Sequence, residues 1–226
     1  VEIAQRQRSN GMAFYIFPNA IPKKECKRLL KYWLKHSDFE DASVINKGFT
    51  DVSDAENDDK SRTDHEMRKT AVSFITDKEN MMNEIVWGFI RQANAEFFKY
   101  KLEYFQAIQF ARYRDGGHYD WHQDASPQDL ANEGRKLSLT MSLTDHDKYD
   151  GGLLQFYNGD KPYEDKDHDI EKDIKSVGTV IVFDSRDWHR VTPVTKGTRY
   201  SIVCWTVGPN FVWKVSDDGE KDKHSV

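Results

Sequence analysis

The stretch "DKENMMNEIVWGFIRQANAEFFKYKLEYFQAIQFARY", residues 77–113, decides the fold class. Over 77–100 the apolar residues Met81, Ile85, Phe89 and Ile90 recur at helical spacing behind Asp77, a residue type that caps helix starts. Past residue 100 the period falls to two and stays there. Strands are predicted at 104–113, 136–144, 151–157, 178–184, 189–194 and 199–207, with turn-like or charged segments such as "DHDKYDGG" between them. Upstream, "MAFYIF" (12–17) and "TAVSFI" (70–75) read as strands. Residues 21–36 read as a helix with Cys26, Leu29, Leu30 and Trp33 on its apolar face and Pro22 in its first turn. Two helices therefore come early, and many strands follow with no helix between them. That order excludes a doubly wound parallel sheet, whose crossovers are helical. It predicts a mainly β fold, an antiparallel double-sheet jelly roll with the helices packed on one outer face.

The 226 residues suit a single domain, with helical support and a loop in 1–103, a barrel core in 104–207 and a polar tail in 208–226. A hydrophobic content of 38%, a charged content of 31% and a net charge of −5 describe a soluble globular chain. With no long basic block, nucleic acid is not an expected partner. No apolar run approaches a membrane span, and residues 1–11 lack the apolar core of a signal peptide. Cys26 and Cys204 do not make a disulfide framework, so two reduced thiols and a cytoplasmic location are expected. The polar run 37–66 has little periodicity and reads as an exposed connection or as a lid.

The chemistry concentrates in "HYDWHQDA", residues 118–125, which holds His-x-Asp twice: His118 with Asp120, and His122 with Asp124. Residues two apart on a strand share a face, so either pair could point into a barrel as metal ligands. Both pairs have the same parity, and alternation alone does not choose between them. A facial triad of two histidines and one carboxylate leaves the remaining metal positions open for reactants. The second histidine it needs is His189 in "SRDWHRVTPV". Downstream, Arg199 and Ser201 share a strand face with Trp205. An arginine facing into a barrel needs an anionic partner, and a carboxylate could meet it bidentately. Tyr113 could add a phenolic hydrogen bond. His118 and His122 are also four apart, a zinc spacing on helices, but Gly116-Gly117 and the missing glutamate speak against a zinc-protease helix.

The run "YRDGGHYDWHQD" resembles the Y-x-x-G-x-x-Y-x-x-H-x-D signature of prolyl 4-hydroxylase-like Fe(II)/2-oxoglutarate-dependent dioxygenases. "HRVTPVTKGTRYSIVCW" resembles their distal histidine with a basic cosubstrate anchor ten residues on, and "RKLSLTMSLTDHDKYDGGLLQFY" the middle strands of the PKHD-type hydroxylases. The likeness runs over about residues 70–207. It implies iron ligation by His122, Asp124 and His189. It implies 2-oxoglutarate held by Arg199 with Tyr113 and Ser201, and Tyr119, Trp205 and His118 at the site wall. Fe(II), 2-oxoglutarate and O2, with ascorbate as a helper, are the implied cofactors, and a peptidyl proline in a peptide or protein is the implied substrate. Collagen-type members carry lysine at the anchor where this chain has Arg199. Rival readings keep the cofactors but take a free amino acid, a small metabolite or an alkylated nucleic acid, or make the barrel a binder without catalysis.

Overall fold

The computed structural model describes residues 5–9, 12–42, 67–75, 81–125, 134–158, 161–162 and 175–210. In chain order the elements are β1 (Gln5–Ser9), β2 (Met12–Phe17), α1 (Lys23–His36), β3 (Glu40–Asp41), β4 (Arg68–Lys69), β5 (Ala71–Phe74) and α2 (Met81–Ala93). After α2 come β6 (Tyr104–Phe105), β7 (Gln109–Arg114), β8 (His118–His122), β9 (Arg135–Ser142), β10 (Tyr149–Gly151), β11 (Leu154–Asn158), β12 (Lys161–Pro162), β13 (Val180–Asp184), β14 (His189–Val191) and β15 (Val194–Val207). The larger sheet runs β1-β2-β13-β9-β15-β7-β5-β3, with β6 and β10 also paired to β15; the smaller runs β12-β11-β14-β8-β4. Neighbours pair antiparallel throughout. This is the expected jelly roll, two sheets with the site between them. The candidate lid in 37–66 lies largely outside the described residues, as do 76–80 at the expected start of the second helix and 211–226 in the polar tail.

Alternation in the large sheet builds two cores. Tyr15 and Phe17 on β2, Leu137, Leu139 and Met141 on β9, and Ile202 and Cys204 on β15 join Cys26, Leu29 and Trp33 of α1 and Met82, Val86 and Ile90 of α2. Phe14 and Ile16, Ala111 and Tyr113, and Ile181 and Phe183 take the opposite face and fill the barrel with Leu154, Phe156 and Val191 from the small sheet. The stripe that α2 buries is thus Met82, Val86, Ile90 and Ala93: Ile90 lies on it as expected, whereas Val86 replaces the expected Ile85 and Phe89 is turned aside. The helix is apolar on both rows, so its period is legible but its rotation is set by what it packs against. Ile85 and Phe89 end half-buried.

Two glycines next to the site are required by geometry. At Gly151 (φ +75°) a Cβ would lie 2.0 Å from the Pro193 carbonyl oxygen. At Gly152 (φ +60°) it would meet the Arg199 Cδ at 3.0 Å. The turn before β11 therefore presses on the stem of Arg199.

Candidate active site

Cross-strand pairing puts His189 of β14 directly opposite His122 of β8. The ladder is irregular there. From Tyr119 to His122 is three residues, whereas their partners Val191 and His189 are two apart. This bulge resolves the parity that the sequence left open. It carries Tyr119 onto the face of His122, where the two rings stack with centroids 3.4 Å apart. Asp120 is exposed, and its backbone nitrogen bonds the Met67 carbonyl. His118 sits at the start of β8 opposite Lys69, its Nδ1 against the Gly116 carbonyl, and does not line the cavity.

Asp124 follows β8 and stands between the two histidines. Its Oδ1 is 3.6 Å from His122 Nε2 and its Oδ2 3.4 Å from His189 Nε2. Those distances are too long for hydrogen bonds. Ligands at right angles on one first-row ion, each about 2.1 Å from it, would be about 3 Å apart, so a small inward movement would close the three on an ion. The ligand atoms of the trio all lie within 4.8 Å of one another, the one such group among the described residues. Each histidine uses Nδ1 against a backbone carbonyl: His122 on Asp120 at 2.7 Å, His189 on Asp187 at 2.9 Å. A carbonyl only accepts, so each Nδ1 carries a proton and Nε2 is the nitrogen turned toward Asp124.

Burial, and then His122, push His189 down to about 4, so at neutral pH it is an uncharged ligand. Burial would raise the carboxyl of Asp124. The opposing pull of His189 and His122, with Arg135, wins and holds it well below the usual carboxylate range. The Asp124 side chain also accepts a hydrogen bond from Ser138 Oγ at 2.6 Å. The site therefore sets a buried carboxylate between two imidazole nitrogens, and a divalent cation is the ligand such a set fits.

The trio opens on a cavity of ≈ 40 Å³, lined also by Tyr113, Tyr119, Arg199, Ser201 and Trp205. Arg199 and Tyr113 are register partners across β15 and β7, with the guanidinium carbon 5.2 Å from the ring centroid. Arg199 is 6% exposed and donates to Ser201 Oγ at 3.2 Å; no acid pairs with it among the described residues. A buried guanidinium held by one hydroxyl and one ring face is costly unless an anion completes it. Trp205 presents a buried indole N–H without a partner among the described residues, and Arg135 covers its ring at 4.1 Å. The structure thus gathers His122, Asp124, His189, Arg199, Tyr113, Ser201, Tyr119 and Trp205 at one cavity.

Residues 108–207 match the 2OG-Fe(II) oxygenase superfamily. The matched segment holds the trio, Arg199, Tyr113 and Trp205, and the donor set fits the Fe(II), 2-oxoglutarate and O2 that such oxygenases use. Among curated proteins the chain is similar to PKHD-type hydroxylases. It is 35% identical over 100 residues to one from Cupriavidus pinatubonensis, covering 42% of this chain and 40% of the relative. It is 40% identical over 101 residues to one from Maricaulis maris, covering 43% and 40%. The alignment thus spans about 40% of the length of these curated relatives. The fold is shared with a Pseudomonas putida prolyl-4-hydroxylase (TM-score 0.61, 19% identity, 88% of this chain and 95% of that one). It is also shared with a Trichoplax adhaerens prolyl hydroxylase in complex with a hypoxia inducible factor peptide fragment (TM-score 0.63, 18% identity, 88% and 84%).

Two groups of contributors have no motif in the sequence. Arg68 lines the cavity with its guanidinium carbon 4.5 Å from the Tyr119 ring centroid, and only the pairing of β4 with β8, Arg68 opposite Tyr119, brings it there. Ser138 and Ser185 stand behind Asp124. Cys26 and Cys204 are both free and buried, and no described helix is long and apolar enough to cross a membrane.

Proposed function

We propose that the protein is an Fe(II)- and 2-oxoglutarate-dependent dioxygenase that hydroxylates an unactivated C–H bond, most plausibly of a peptidyl proline, with His122, Asp124 and His189 as its metal ligands. One observation carries the reading: a buried trio of two histidines and a carboxylate shares its cavity with Arg199, a buried cation with no acid beside it among the described residues. A metal and a dicarboxylate together answer both needs. Bound there, Fe(II) with 2-oxoglutarate and O2 supplies an oxidation that yields succinate, carbon dioxide and one hydroxyl on the substrate. The chain's part is to hold and orient. Arg199 and Ser201 fix the far carboxylate of 2-oxoglutarate, Tyr113 walls that end, and Tyr119 and Trp205 shape the side where substrate enters. The barrel's apolar layer of Leu154, Phe156, Phe183 and Val191 keeps water from the reacting atoms.

The peptide reading is supported by the solved neighbours, a prolyl-4-hydroxylase and a prolyl hydroxylase in complex with a peptide fragment. The reading treats residues 1–226 as one dioxygenase domain in the cytoplasm. Pairing of β2 with β13 and β5 with β7 supports that unity, since strands before residue 75 are built into the barrel sheet. The test supplies Fe(II), 2-oxoglutarate and a proline-containing peptide library. Succinate release should occur and should vanish in His189→Ala, with a gain of one oxygen on the hydroxylated peptides. Succinate release with no peptide modified would remove the peptide substrate, and no succinate under any condition would remove the enzyme.

A further inference from the structure

We infer that Ser138, oriented by Ser185, is a positioning residue that holds Asp124 to single-oxygen metal ligation; the inference rests on the metal-site reading above. Ser138 and Ser185 are fully buried, and Asp124 is 8% exposed. Ser138 lies on the barrel face of β9, with Phe183 of β13 and Trp205 of β15 as its register partners. A hydroxyl between two such aromatics is a poor choice for packing and is costly unless its hydrogen bonds are made.

Both bonds are made, and their direction is fixed. The Ser138 hydroxyl donates to Asp124 Oδ2 at 2.6 Å, because a carboxylate only accepts. Ser138 has one proton, so in its 2.9 Å contact with Ser185 Oγ it must be the acceptor. The chain runs Ser185 to Ser138 to Asp124, a sequence in which each bond strengthens the next. Ser185 is itself pinned. Its N–H donates to the Lys136 carbonyl at 3.0 Å, and its carbonyl accepts from Ala125 N–H at 2.8 Å, one residue beyond Asp124. The same turn carries Asp187, whose carbonyl orients His189. One turn, anchored by the buried Ser185, therefore sets the direction of two of the three ligands.

The consequence is for coordination number. Each oxygen faces one histidine, Oδ1 toward His122 Nε2 at 3.6 Å and Oδ2 toward His189 Nε2 at 3.4 Å, but Oδ2 is engaged in the short charge-assisted bond from Ser138, which leaves Oδ1 as the oxygen free for an ion. Chelation by both oxygens would use a position that the cosubstrate needs.

The test is Mn(II) binding to the full chain, followed by paramagnetic resonance of the free ion, for the native protein and S138A, S138T, S185A and S142A. Ser142 sits on the same face of β9, donates its hydroxyl to the Thr144 carbonyl and serves as the packing control. S138A should bind Mn(II) about 10–100-fold more weakly, the usual cost of losing a partner that orients a ligand. S138T, which keeps the hydroxyl, should restore most of that loss. S185A should lose less than S138A, and S142A nothing. Native affinity in S138A, or equal losses in S138A and S142A, would overturn the inference. If S138A does not fold, native affinity in S185A overturns it and a loss in S185A supports it. Failure of the native chain to bind Mn(II) would overturn the metal reading itself, a distinct outcome.

Discussion

At the scale of single residues, the site depends on side chains whose cost of burial makes sense only with a ligand present. Arg199 shows this most clearly. Truncating a buried charged partner costs about 2 kcal/mol or more, about 30-fold or more in affinity. Arg199→Ala should weaken apparent 2-oxoglutarate affinity by that factor while leaving Mn(II) affinity near native, as titration calorimetry of each in turn would show. Arg199→Lys should fall between, since charge remains and the two-pronged geometry is lost. The residue types were legible in the sequence: spacing offered two His-x-Asp pairs together with His189 and Arg199, and the family resemblance singled out His122 and Asp124. The choice between the two His-x-Asp pairs was not legible from spacing, because it turns on a bulge, and a bulge is a property of two paired strands. Ser138 was hidden for the opposite reason. In "KLSLTMSLT" it looks like one of the polar residues of an ordinary half-exposed strand.

That strand carries the lesson at the scale of elements. Alternation in β9 marks two faces but does not say which is inside. A half-exposed antiparallel strand puts its polar face in water. Here the apolar face of β9 meets α1 and α2, and the polar face, Ser138 and Ser142, turns into the barrel. The helices free the inner face for chemistry. The turn of Gly151 and Gly152 makes a related demand, since any side chain at Gly151 collides with Pro193. Gly151→Ala should cost more than about 1 kcal/mol, because φ +75° is strained for alanine and the carbonyl cannot give way. In a chain of this size that corresponds to a fall of about 2–4 °C or more in melting temperature. An unchanged melting curve would mean that the turn relaxes away from the Pro193 carbonyl to admit the methyl.

On the scale of the whole molecule, the matched segment 108–207 is not a self-sufficient sheet. β13 pairs with β2, β7 with β5 and β8 with β4, so cutting before residue 104 leaves three sheet edges open and strips Met82, Val86 and Ile90 from the outer core. The isolated segment 104–207 should show no cooperative thermal transition, whereas the full chain should melt in one. A cooperative transition in the fragment would separate the barrel from its helical support. Burial also pushes the Cys26 thiol up to about 11 and the Cys204 thiol up to about 12. Neither should react with a disulfide reagent at pH 8 in the native state, and both should react after unfolding.

The pairing of a metal trio with an unpartnered arginine in one cavity is tested most directly by measuring 2-oxoglutarate binding calorimetrically, without oxygen, with and without Mn(II). The expected result is a single 2-oxoglutarate per chain, bound tightly only when Mn(II) is present and lost together with the metal in Asp124→Ala. Binding of equal strength in the metal-free protein, or unaltered binding in Asp124→Ala, would contradict it.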